Sequence, residues 1–461
     1  MPLKNKIYSF SPFLIGIALL IAFFGTRGFF GNPKSKIIFS DGIGYYSYLP
    51  SNFIYHDQTY SFLEKASSNY YDSAPNPKLF EFRHEVNGRY VNQFFAGTAL
   101  LMLPFFLLAH LLSIISGLPP DGFSLLYQYF IALGSIFYCW LGCVFLFKLL
   151  RRLTKRAGVS ALSLTLIVFA TNLYHYTLYE PAMSHVYSFM AIAGFLLFSF
   201  DYFNTLRPQK LLWAALFLGI ILLIRPTNII VLLLLPFVAT SHPVLLSGIK
   251  HMFKNATWLF ALLIVGLLSF IQLWLWHKQT GQWFIDSYAG QSFDFSQPHI
   301  MQVLSSYKKG FFLYTPLCAF SLIGLFWFLK NNRFMLFFAL LFLSVAVYTI
   351  SSWWCWWYGM SFGHRAFIDY YSLFAILLAF GFSLLKSPVT KIITIALCTF
   401  FLFLNQVQAY QYRYYILHWE LMTEQKYKQV FLKTGKEYRG IFWKDNDTNA
   451  PAKDSVNANT Q

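Results

Sequence analysis

Acidic side chains are scarce in this sequence: 18 Asp and Glu stand against 35 Lys and Arg in 461 residues. Charged residues of both signs together reach only 11%, where a soluble globular chain carries about 25%. A chain so poor in charge cannot cover its surface with water-binding groups, which excludes an ordinary soluble domain. Cysteines number five (Cys139, Cys143, Cys318, Cys355 and Cys398), all in or beside apolar stretches. They form no disulfide framework and no Cys/His pattern with zinc-ligand spacing, and Cys139 and Cys143, on one helix face, read as small packing residues. No His/Asp cluster at metal-ligand spacing is found, and no internal repeat.

Apolar and aromatic residues are what the chain does have. They make up 57% and 21% of it, and the mean hydropathy is +0.50. Runs of roughly 20 apolar residues recur, each about the length that crosses a ~30 Å hydrocarbon core. The fold class expected is therefore an all-α polytopic membrane protein with about 11–12 transmembrane or re-entrant helices. The segments fall at about 10–30, 93–116, 124–150, 158–178, 183–203, 211–224, 229–240, 255–276, 311–329, 334–350, 368–385 and 391–408. The first run lacks a small-residue cleavage site and is expected to be an anchor rather than a removed signal peptide.

The net charge of +17 suggests nucleic acid until its distribution is considered. Fifteen of the 35 Lys and Arg lie in six short stretches without an acid: 4–6, 148–156, 207–210, 250–254, 330–333 and 386–391. That is the positive-inside signature of cytoplasmic connections, so no nucleic-acid partner is expected. The remaining connections then fall outside: 31–92, the 172–185 turn, 225–228, 277–310, 351–367 and the chain from 409. Segment 93–116 must enter and leave on one side, and Gly97 and Pro104 are expected to break it into a re-entrant pair. Segments 211–224 and 229–240 are too short to span singly and read as a broken pair with Arg225-Pro226-Thr227-Asn228 at its tip. Non-helical backbone at that depth requires a protein or water-lined surround.

This side assignment gathers the unusual residues on one face. The first outer loop, 31–92, carries Asp41, Asp57, Glu64, Asp72, Glu81 and Glu85, and its stretches 45–56 and 60–71 have the mixed aromatic and polar character of interfacial helices. Asp41 stands in "FSDGIGYYSYLP" (39–50), with Gly42 and Gly44 beside it. "YEPAMSHVYSF" (179–189) supplies Glu180 and His185, and "LIRPTN" (223–228) supplies Arg225. "SSYKKGFFLYTP" (305–316) places Lys308 and Lys309 at the mouth of a span, and "SSWWCWWYGMSFGHRAF" (351–367) ends on His364 and Arg365. Basic residues on the outer side call for a local anion, and a lipid phosphate suits the bidentate geometry of Arg. Plainer roles stand beside these: Asp41 as a turn cap, Glu180 in a salt bridge, His185 in packing, the lysines on surface lipid, and Trp353–Trp357 as an aromatic belt rather than a sugar-stacking platform. Arg225 fits a plain role least, because charges within a membrane are functional by default and no acid lies between positions 202 and 285.

The stretches "DGIGYYSYLP", "LYEPAMSHVYSF", "IRPTN" and "GMSFGHRAF" resemble those of the C-type-fold (GT-C) membrane glycosyltransferases, which include the protein O-mannosyltransferases and the bacterial lipid A aminoarabinose transferases. The resemblance covers roughly residues 1–240, and 277–385 more loosely. It implies a transferase in the cytoplasmic (inner) membrane, its site facing the periplasm or exterior. The enzyme would move a sugar from a polyprenyl-phosphate donor to an acceptor glycan, lipid or protein. Many relatives carry an acidic pair in the first loop; here Asp41 is followed by Gly42, so Asp41 acts alone as base or Glu180 supplies the second acid. Arg225 is the first candidate for the phosphate, with His185, Lys308, Lys309, His364 and Arg365 as further substrate-binding candidates. No cofactor or metal is expected to be required, although Asp41 and Glu180 together have the chemistry to hold a divalent ion. The competing readings are a transporter or flippase of a lipid-linked glycan and a non-catalytic lipid-binding scaffold. The domain organisation expected is a membrane-embedded domain over 1–408, an outer-face amphipathic segment over 409–440 and a disordered tail over 441–461.

Overall fold

The computed structural model describes residues 7–27, 37–70, 81–254 and 256–442. The basic pair at 4–6, Asp72 in the first loop and the polar tail beyond Phe442 lie outside the described residues. Among those described, seven helices are long and apolar enough to cross a membrane: Gly97–Ile115, Leu125–Thr154, His185–Thr205, Thr257–Thr280, Arg333–Ser351, Arg365–Phe382 and Pro388–Arg413. Shorter apolar helices, Ser11–Arg27 and Pro208–Ile224, account for further expected segments, whereas segment 158–178 is divided into Ala157–Phe169 and Leu173–Leu178. The architecture is that of an α-helical multi-pass membrane protein.

Three local expectations are corrected. Segment 93–116 is not a broken pair but one helix, Gly97–Ile115, with Pro104 inside it. Gly97 opens the helix against the backbone of Leu223 and Ile224, where a β-carbon has no room. Both flanks of this helix are tied to one stretch of chain. Before it, Asn92 Nδ2 donates to the Gly44 carbonyl at 2.8 Å; after it, the Gly122 and Asp121 carbonyls accept from the Tyr46 and Tyr55 hydroxyls. The helix therefore runs beside segment 41–55 as one unbroken element, long and apolar enough to cross a membrane. Second, the first loop carries two helices, Asp41–Pro50, buried from Gly42 to Pro50, and Phe62–Tyr70, but also an antiparallel hairpin of Arg83–Val86 with Arg89–Asn92. Its turn is Asn87-Gly88, with φ of 52° and 74°, the two positive values that a tight hairpin turn demands. Third, segment 311–329 is not one helix: Phe311–Tyr314, Pro316–Ser321 and Gly324–Asn331 follow one another with breaks between.

The chain packs as two compact units. The first comprises 1–161, 176–292 and 328–343. Its centre is the helix His185–Thr205, whose most apolar window is 89% buried. Lipid tails are as apolar as leucine, so helices in a bilayer are held by close packing, which small residues permit. Gly142 on Leu125–Thr154 sits against Phe189, and Gly194 sits against Phe217 of Pro208–Ile224; a β-carbon at either would lie 2.8 Å from the facing ring. Cys139 and Cys143 are buried on the same helix as Gly142, consistent with their reading as packing residues. Thr257–Thr280 is peripheral, with only 11% of its apolar window buried. Two basic stretches meet here, since Arg152 and Lys210 both pair with the buried carboxylate of Asp201.

The second unit comprises 162–175, 293–327 and 344–461. The 3-10 turn Arg365–Tyr370 and helix Tyr371–Phe382 form its centre and are 94% buried over their apolar window. Buried amides fix irregular backbone around it: Asn172 Nδ2 donates to the Phe362 carbonyl at 3.0 Å, and Asn405 Nδ2 to the Tyr314 carbonyl at 3.0 Å. Within the expected outer-face segment, Glu424–Val430 is a short helix. Ile416, Leu417, Met422, Tyr427 and Val430 bury together with Tyr314 and Phe362, forming a small cap.

Candidate functional site

In the first unit, three interruptions of helical structure come together. The first is the start of Asp41–Pro50. Ser40 adopts φ 51° and ψ −142°, a region L-residues avoid, at a cost of ~1–3 kcal/mol. Asp41 follows in the first helical turn, where the positive end of the helix dipole favours its carboxylate. Gly42 faces the second interruption, the turn 179–184. A β-carbon on Gly42 would lie 2.7 Å from the Ala182 β-carbon, so only glycine lets the Asp41 helix approach the Glu180 turn. Gly44 is equally confined, by the Phe94 ring and the Phe82 β-carbon.

The turn 179–184 is held by its own chain and the helix that follows. Met183 N–H donates to the Glu180 carbonyl at 3.1 Å, and the Tyr187 hydroxyl donates to the Pro181 carbonyl at 3.1 Å. Glu180 is buried, and so is His185, which opens the core helix with its ring edge-on to Tyr176, centroids 5.6 Å apart. Arg225 marks the third interruption. The helix Pro208–Ile224 ends there, Arg225 itself is extended (φ −157°, ψ 103°), and a 3-10 helix, Pro226–Leu233, follows. The break expected at 225–228 is therefore present. Proline at 226 forces it, because the residue before proline is disfavoured in the helical region.

A hydrogen-bond chain joins the three. Arg225 Nη2 donates to Ser184 Oγ at 2.9 Å, and Ser184 Oγ donates to the Tyr45 hydroxyl at 3.2 Å. Tyr45 lies four residues after Asp41, on the same helix face. Asp41, Glu180, His185 and Arg225, drawn from 185 residues of chain, thus belong to one neighbourhood. Ser184 and Tyr45 were not singled out in the sequence; nothing in a lone serine or one tyrosine of 30 marks it as a link. Asn92, which holds Gly44, was missed for the same reason.

The other four candidates belong to the second unit. Lys308 Nζ lies 3.7 Å from the Trp357 ring centroid and 3.9 Å from the Glu420 carboxylate. Lys309 is buried and donates to the Ser361 carbonyl. His364 is fully buried, with Nε2 2.9 Å from the Trp356 carbonyl. Arg365 opens the 3-10 turn and is half-buried. The tryptophan run is a tight loop rather than part of a span, and Lys308 is its cation partner. Asp369 was overlooked although it is the one acid between 351 and 408; it is fully buried in the same 3-10 turn as Arg365.

Among the described residues no group of three or more His, Cys, Asp or Glu is arranged to hold a metal ion. No protein-family model matches the chain, and no curated protein matches it by sequence. The fold defines the class: a multi-pass α-helical membrane protein.

Proposed function

We propose that this protein is a membrane glycosyltransferase that takes a sugar from a polyprenyl-phosphate carrier and passes it to an extracytoplasmic hydroxyl. The observation that carries the reading is the meeting of the Asp41 helix, the Glu180 turn and the Arg225 break, which brings two carboxylates and a guanidinium to the ends and interruptions of helices within an apolar bundle. Transfer from a sugar phosphate needs those groups. A carboxylate takes the proton of the acceptor hydroxyl as its oxygen bonds to the anomeric carbon. The anomeric carbon–oxygen bond breaks, and the phosphate leaves with the electron pair. General-base help is worth ~10²–10⁴-fold. A fixed cation stabilises the charge gathering on the phosphate, and it counts for more in a water-poor site. In this reading Asp41 is the base, Glu180 the second acid and Arg225 the phosphate contact, with His185 beside them.

A transporter of a lipid-linked glycan is the second reading, because a helix broken at a charged residue is also a transporter feature. The breaks at Thr315 and at Leu322–Ile323 mean that interruption is not confined to Arg225. The two readings part on chemistry. Lipid extracts of cells with and without the protein, compared by mass, test the first. A transferase leaves polyprenyl-phosphate sugar and unmodified acceptor behind when it is lost, and both must be consumed when purified protein is added to that extract in detergent. An extract left unchanged by the purified protein would favour the transporter.

A further inference from the structure

The helix His242–Lys254 is absorbed by neither reading. It follows the Pro226–Ala239 segment at a bend of 117°, so it does not continue that segment through the bilayer. Its surface divides into three stripes. Val244, Leu245, Gly248, His251 and Met252 face inward; the Tyr202 hydroxyl donates to the Gly248 carbonyl at 2.9 Å, and a β-carbon on Gly248 would strike the Phe203 ring. Leu246, Ile249 and Phe253 form a second stripe and are 40%, 38% and 60% exposed. Ser247, Lys250 and Lys254 form a third, also exposed. At 100° per residue the apolar and basic stripes lie about a quarter-turn apart, both clear of the docked face.

We propose that this helix lies in the membrane interface and binds anionic phospholipid headgroups through Lys250 and Lys254. Three stripes match three surroundings: protein behind, acyl chains against Leu246, Ile249 and Phe253, and headgroups against the lysines. Among the described residues nothing neutralises this charge. No acid occurs from 202 to 285, and the nearest one before it, Asp201, is occupied by Arg152 and Lys210. Among the described residues neither Lys250 nor Lys254 has an ion-pair partner. Anionic phospholipid is the occupant that satisfies both exposed stripes at once. Each surface lysine enriches it by roughly fivefold over neutral lipid.

The test is site-specific, because other basic stretches also attract anionic lipid. Phe253→Cys is made with Cys355→Ser, which removes the one thiol that is not buried. A fluorophore at position 253 is then followed in vesicles containing equal fractions of brominated phosphatidylglycerol or brominated phosphatidylcholine. Several-fold stronger quenching by the phosphatidylglycerol is expected, falling to parity when Lys250→Gln and Lys254→Gln are added. Equal quenching by both lipids before those changes would overturn the headgroup preference. No quenching by either would mean that protein covers the stripe, and would overturn the placement as well.

Discussion

At the scale of single residues, the carboxylate of Asp41 carries the most weight. Asp41→Asn preserves shape but cannot accept a proton, so transfer should fall by ~10²-fold or more while donor lipid still binds. Retention of more than about a tenth of activity would make Asp41 a structural cap and turn attention to Glu180. Arg225 makes a different prediction. Polyprenyl phosphate should raise the melting temperature of the wild type, by linkage, and Arg225→Ala should lose that rise. Equal shifts in both proteins would remove Arg225 as the phosphate contact. A third residue tests the first loop alone. Burial pushes the Asp57 carboxyl up, but hydrogen bonds from the backbone and hydroxyls of Thr59 and Ser61 outweigh it and hold the group below its ordinary value. A depressed folded-state value stabilises above the unfolded one and is lost as pH falls through it. Asp57→Ala should therefore lower stability at neutral pH, by less than about 1 kcal/mol because solvent screens this largely exposed group, and the loss should fade as pH drops through the folded-state value, measured by melting. The residues legible in the sequence were those whose charge is out of place in an apolar chain. Ser184, Tyr45 and Asn92 act through position alone, which only the folded chain reveals.

At the scale of elements, what could be read depended on which force sets each one. Seven of the expected segments were legible as helices long enough to span because the bilayer dictates their length, and the break at Arg225 because proline dictates it. The hairpin was not, although Asn87-Gly88 is a strong turn signal, because composition drew attention to aromatic interfacial helices around it. Glycine roles in packing were also hidden. Gly142 and Gly194 look like indifferent residues in apolar runs, yet each lets a facing aromatic ring approach closely. Gly194→Leu should destabilise the first unit by about 1–3 kcal/mol through overpacking, read as a lowered melting temperature. Gly266, on the peripheral helix with open space around it, should tolerate the same change with little effect. If both melt alike, close packing is not what holds the central helix.

At the scale of the whole molecule, the account joins a membrane topology to a chemistry. The topology rests on the basic stretches, and it places Asp57 outside and Lys250 inside. In a Cys355→Ser background, a membrane-impermeant thiol reagent should label Asp57→Cys in intact cells and Lys250→Cys only after permeabilisation. Labelling of both from one side would reverse or void that orientation. The class of protein follows from lipid as solvent; the proposed reaction would depend on a handful of side chains brought together near backbone breaks. The most direct measurement of the central claim is turnover by purified protein in detergent, where no sidedness exists to be crossed. Mass spectrometry of a lipid extract from cells lacking the protein would follow the polyprenyl-phosphate sugar after wild type or Asp41→Asn is added. The account predicts that wild type converts it to free polyprenyl phosphate with glycosylated acceptor, and that Asp41→Asn leaves it intact. An unchanged donor with the wild type, or equal turnover by both proteins, would contradict it.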